Sequence, residues 1–229
     1  MEYQFNDNFL WGAASSGPQS EGTFPGDGKA EMEWDYWFKQ VPEQFFDGVG
    51  PSVTSDFYHK YKEYAKLMKE IGMNSYRTSI QWSRIFKDRE GTVNEEGVTF
   101  YQAVIDEFLS QGIEPVLCLH HFDMPMYWME KGGFENRETA EGFAAFAAKC
   151  FELFGGKVKR WITFNEPIVI AEGGYIYKRH YPAVCDAKKA ALVGYHIQLA
   201  SSMAVREFRK SGREGSIGIV LNLTPVSYT

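Results

Sequence analysis

Apolar residues along the chain alternate between short continuous runs and longer stretches in which they return every third or fourth position. The first run, Phe9–Ala14, ends in small residues and enters a Gly- and Pro-bearing loop that extends to about Pro51. Tyr61, Tyr64, Leu67, Met68 and Ile71 then recur at helical spacing, with Ser55 as the expected cap and Gly72 just past the end. Ser75–Ile80 predicts a second strand. After it comes a helix capped by Asn94, carrying Val98, Tyr101, Val104, Ile105, Phe108 and Leu109 and stopped by Gly112. Glu114–Leu119 predicts a third strand, and a helix capped by Asn136 runs to Gly155-Gly156. Val158–Phe164 is the fourth strand, Asp186 to Lys210 a long helix, and Ile217–Leu221 the fifth strand.

Strands that are almost wholly apolar and alternate with helices imply a parallel sheet buried on both faces. A doubly wound sheet and a (β/α)8 barrel both satisfy this. Gly12-Ala13-Ala14-Ser15-Ser16-Gly17 matches the dinucleotide-binding G-x-G-x-x-G poorly and no helix follows promptly, which favours the barrel. With no repeat, low-complexity tract or linker, residues 1–229 are expected to form part of one domain without an internal boundary. The composition, 44% hydrophobic and 16% aromatic, supplies a sizeable core and excludes a disordered or fibrous chain. A net charge of −6 with both signs interspersed offers no basic stripe, so a nucleic-acid partner is not expected. Cys118, Cys150 and Cys185 give no disulfide framework. No apolar segment is long enough to span a bilayer and no basic-then-apolar leader opens the chain, so a cytoplasmic, soluble protein is expected.

Four segments carry candidate chemistry. Phe164-Asn165-Glu166-Pro167 sets a carboxylic acid beside an amide at the end of a buried strand, where barrel enzymes display their catalytic groups. Glycoside hydrolysis commonly uses two carboxyls, one protonating the leaving oxygen and one attacking the sugar carbon, and Glu166 suits the first role. Strict alternation sends Asn165 and Glu166 to opposite faces, so both serve one pocket only if the strand ends or twists there. A lone Asn-Glu-Pro is more often an ordinary polar strand end. In Leu119-His120-His121-Phe122-Asp123-Met124-Pro125 a neutral imidazole suits a sugar hydroxyl, whereas Cys118, His120 and His121 diverge too much for a metal site, and none is expected. Gln19 offers a donor and an acceptor to adjacent hydroxyls, or simply holds its loop. Arg77, charged inside an apolar strand, requires a buried anion, either structural or catalytic.

Taken together, Phe9-Leu10-Trp11-Gly12-Ala13-Ala14-Ser15, the Gln19-x-Glu21-Gly22 element, Tyr76–Ile85, His121–Pro125 and Thr163–Pro167 resemble glycoside hydrolase family 1, in that family's order and over essentially the whole chain. The resemblance implies a (β/α)8 barrel and retaining hydrolysis of β-linked sugars without a cofactor. It implies Glu166 as acid/base, Asn165 on the 2-hydroxyl, Gln19 and His121 on hydroxyls further round the ring, Arg77 facing the nucleophile, and Asn222 near the same pocket. Ser16-Gly17-Pro18-Gln19 and Phe122 are similar to the family's phospho-glycosidase branch, which implies a 6-phosphorylated β-glucoside as the small-molecule substrate; Pro167 departs from many members of that branch. The family's nucleophilic glutamate and the Ser/Lys/Tyr loop that holds the phosphate have no counterpart here. The chain is therefore expected to be the N-terminal five units of a longer enzyme and inactive alone, with an oligomer possible. A plain β-glucosidase or β-galactosidase and a non-catalytic sugar-binding half-barrel are the alternatives.

Overall fold

The computed structural model describes residues 3–223. Five parallel strands, β1 (Gly12–Ala14), β2 (Ser75–Ser79), β3 (Glu114–His120), β4 (Arg160–Asn165) and β5 (Ser216–Val220), form one sheet in the order β1-β2-β3-β4-β5. A doubly wound sheet reverses its strand order at a switch point; this one never reverses. It is an incomplete (β/α)8 barrel, with register fixed by pairs such as Ala14↔Arg77, Arg77↔Val116, His120↔Phe164 and Asn165↔Val220.

The helices follow in chain order: α1 (Gly17–Ser20), α2 (Glu33–Gln40), α3 (Phe57–Glu70), α4 (Trp82–Ile85), α5 (Glu95–Ser110), α6 (Met126–Met129), α7 (Arg137–Phe154), α8 (Pro167–Tyr175) and α9 (Ala187–Lys210). The long ones, α3, α5, α7 and α9, are the predicted crossovers. Their apolar stripes face the sheet: Phe108 of α5 packs on Tyr76 of β2, and Phe143 and Phe151 of α7 pack on Phe164 and Trp161 of β4, all buried. Asp186 caps α9 by accepting from the Lys188 and Lys189 N–H groups at 3.0 and 3.1 Å.

Asn94 and Asn136 occupy the N-cap positions of α5 and α7, but their side chains do not cap. The Asn94 amide instead donates to the Asp27 and Arg84 carbonyls, both at 3.0 Å, and tethers the first loop to the second unit. The loop expected to run unbroken to Pro51 contains α2, and the first strand is shorter than its apolar run. Phe9 and Trp11 lie outside the strand and cluster with Phe5, ring centroids 4.6–4.9 Å apart, on the surface.

A buried ion network sets the loop that carries Gln19. Arg84 donates to Glu21 at 3.0 Å, to Asp27 at 2.8 Å and to the Gly22 carbonyl at 2.9 Å, and Tyr101 and Gln81 also donate to Glu21. A buried charge of this kind persists only when fully paired. Among the described residues no helix is long and apolar enough to cross a membrane, and no group of three or more His, Cys, Asp or Glu could hold a metal.

Candidate active site

The C-terminal ends of β2, β3 and β4 bring three of the expected residues together. The Arg77 Nη2 group donates to the Asn165 carbonyl oxygen and lies 3.3 Å from His121 Nδ1. A guanidinium only donates, so Nδ1 accepts and the imidazole proton sits on Nε2. Burial, with the Arg77 charge second, lowers the His121 pKa to about 4, which keeps the ring neutral. Asn165 engages Arg77 through oxygen and keeps its NH2 as a donor. Among the described residues no carboxylate pairs with Arg77, and its Nε is buried without a partner.

The backbone at Glu166 breaks the strand alternation. The strand ends at Asn165, and Glu166 turns left-handed, φ 47° and ψ 61°, as the residue that opens α8. A non-glycine residue in this region is held there by its surroundings, here by its N–H to the Val220 carbonyl at 2.8 Å and by Pro167. The half-buried carboxylate makes no hydrogen bond among the described residues, so both oxygens are open to a ligand.

Gln19 and His121 share a cavity of about 410 Å3 with Ser16, Trp34, Phe45, Phe122 and His180. Ser16 Oγ donates to Gln19 Oε1 at 2.8 Å, which turns the amide NH2 outward as a donor. The Glu166 side chain lies outside this lining and is linked to it through Asn165, Arg77 and His121. Asn222 does not share the cavity as expected. It follows the end of β5 by two residues and lines a separate cavity with Pro167, Ile168 and Gln198, because the chain has already left the sheet there.

Residues 1–228 match the model of glycosyl hydrolase family 1. The chain belongs to that family. It is 50% identical over 224 residues to the 6-phospho-beta-glucosidase GmuD of Bacillus subtilis, covering 98% of this chain and 48% of that one. Beta-glucosidase A of Acetivibrio thermocellus is 38% identical over 220 residues, 96% of this chain and 49% of its own. Among solved structures, the beta-glucosidase from Thermotoga maritima in complex with castanospermine superposes with a TM-score of 0.92 at 38% identity, covering 97% of this chain and 51% of that one. The chain spans about half the length of the curated relatives it matches, as five units of a family 1 barrel should.

The sequence pattern missed Trp34, Phe45 and His180, whose rings wall the cavity in this family 1 chain. Trp34 packs at 5.1 Å from His180 and 6.3 Å from Phe45 between ring centroids. The recurrence of Trp34 and Trp37 three residues apart was the available signal for α2, masked by the surrounding glycines. His120, its neighbour in the same segment, is fully buried; among the described residues both of its ring nitrogens lack partners, and burial lowers its pKa to about 3.

Proposed function

We propose that this chain is the N-terminal, acid/base-bearing part of a retaining β-glycosidase that cleaves 6-phosphorylated β-glucosides in the cytoplasm, within one barrel completed by a longer chain. Arg77 carries the reading. Its guanidinium joins His121 and Asn165 yet meets no carboxylate among the described residues, which suits a site built to hold one further anion. In a retaining glycosidase that anion is the nucleophile, which must stay ionised while the acid is protonated. Glu166 is the acid/base, with a carboxylate free of competing hydrogen bonds. The Asn165 NH2, the His121 Nε2–H and the Gln19 NH2 donate to sugar hydroxyls.

Phosphate specificity is supported by the 50% identity to a 6-phospho-beta-glucosidase and by Phe122 and Ser16-Gly17-Pro18-Gln19. Similarity to plain beta-glucosidases supports the second reading, an unphosphorylated substrate. Hydrolysis of nitrophenyl β-glucoside and of its 6-phosphate by the full-length enzyme separates the two. A kcat/KM at least tenfold higher on the phosphorylated compound is expected, and the reverse preference overturns the phosphate assignment. Glu166→Gln should lose about 10²–10⁴-fold on a disaccharide, whose leaving group needs a proton, and less on nitrophenyl. Equal losses on both would remove Glu166 from the acid role.

A further inference from the structure

The loop that presents His121 is stitched to the segment that enters α2. Trp34 Nε1 donates to the Phe122 carbonyl at 2.7 Å, the Glu33 N–H to the Met124 carbonyl at 2.9 Å, and the Met126 N–H to the Glu31 carbonyl at 2.9 Å. Met32 and Pro125 form an antiparallel bridge between them. Two carboxyls sit inside this seam. Asp123, 0% exposed, accepts the His121 N–H at 2.8 Å through one oxygen and the Trp82 N–H at 3.0 Å through the other. Its carboxylate thus spans the ends of β2 and β3 and closes the turn in which Phe122 is left-handed, φ 61°. Glu33 lies behind it, buried and hydrogen-bonded to the Met124 backbone. Among the described residues neither carboxyl forms an ion pair.

We propose that Glu33 and Asp123 are paired positioning residues: Asp123 fixes the main chain that aims His121 and Phe122 into the cavity, and Glu33 holds the same loop against α2 from behind. The role of His121 in this inference rests on the glycosidase reading of the site. The pair works in its singly protonated state. Burial first and the Asp123 charge second push Glu33 up to about 8, and burial pushes Asp123 up to about 7. Asp123, with two N–H donors, is the ionised partner and Glu33 the protonated one. Around them, Glu21 and Lys29 act on Asp123 with opposite sign, and Tyr175, Tyr181 and His120 border Glu33 on its far side. None of these supplies a cation at contact distance. Loss of the second proton sets two buried negative charges beside each other and loosens the loop.

The test uses the full-length enzyme with Glu33→Gln and Asp123→Asn, following kcat and KM against pH on nitrophenyl β-glucoside 6-phosphate and the His121 ring signal by NMR without substrate. Gln keeps the shape and neutrality of a protonated Glu but cannot ionise. E33Q should stay within about twofold of wild type near pH 7.5, where the pair holds one proton, and lack the wild-type rise in KM above about pH 8. Asp123→Asn opposes an N–H donor with another donor, so KM should rise about tenfold while kcat changes less, and the His121 signal should move. An E33Q profile that keeps the alkaline rise overturns the pairing, and so does a folded D123N with wild-type KM and an unmoved His121 signal. If D123N does not fold, E33Q alone decides. If wild type hydrolyses neither glycoside, the functional reading fails. The positioning inference then stands or falls on whether the His121 signal titrates near pH 8 in wild type and not in E33Q.

Discussion

Four buried side chains at the head of β3 and α2 make stability depend on pH in opposing ways. Glu33 and Asp123 rise from ordinary values of 4.5 and 3.8 to about 8 and 7, so the folded chain binds their protons more tightly than the unfolded chain. Their contribution is fully present below pH 4 and is lost as pH rises to 8. His120 and His121 fall from 6.5 to about 3 and 4, so theirs is present above 6.5 and lost on acidification. The two effects cancel between about pH 4.5 and 6.5. Above 6.5 only the carboxyls act, and stability should fall by about 1.4 kcal/mol per pH unit for each proton. Thermal unfolding of the full-length enzyme should show Tm declining from pH 6.5 to 8 in wild type and less steeply in Glu33→Gln. A flat wild-type profile would contradict it. Of these four, the sequence pattern singled out the two histidines. Asp123 entered only as part of the family motif His121–Pro125 and Glu33 drew no reading, because their effect comes from a seam between segments about ninety residues apart.

At the level of elements, the apolar pattern located all five strands, which are short continuous apolar runs, and the four long helices, each of which buries one face against the sheet and must repeat accordingly. It missed α8, whose apolar residues do not form one stripe, and it assigned caps by residue type where tertiary contacts took the side chain instead. Asp186 is the cap that does act. Asp186→Ala should destabilise the enzyme by about 1 kcal/mol in urea unfolding, whereas an unchanged midpoint would mean that α9 is held by packing alone. Gly97, in the first turn of α5, has a different duty: an added Cβ would lie 2.0 Å from the Arg84 carbonyl oxygen. Gly97→Ala should therefore cost about 1–3 kcal/mol through overpacking in the same assay, although alanine is the better helix former. The site was legible as a set of strand ends. Its left-handed turn at Glu166 was legible only as a requirement that the strand stop.

For the molecule as a whole, among the described residues the sheet has two free margins, β1 on one side and β5 on the other, and β5 is only partly covered. Unpaired strands bordered by apolar surface invite pairing with another chain. The 229-residue polypeptide by itself should elute from a sizing column as oligomers or aggregates; a clean monomer would show that the margins are self-protected. Arg77 belongs to the same scale: on the proposed glycosidase reading, the anion that neutralises it comes from across the closed barrel.

The uninterrupted strand order has a consequence for biosynthesis. Each new strand docks on the one made just before it, so no strand has to wait for a distant strand to leave the ribosome. Assembly can keep pace with translation from the first unit to the fifth, and at every step the growing sheet presents one fresh edge as the template for its next neighbour.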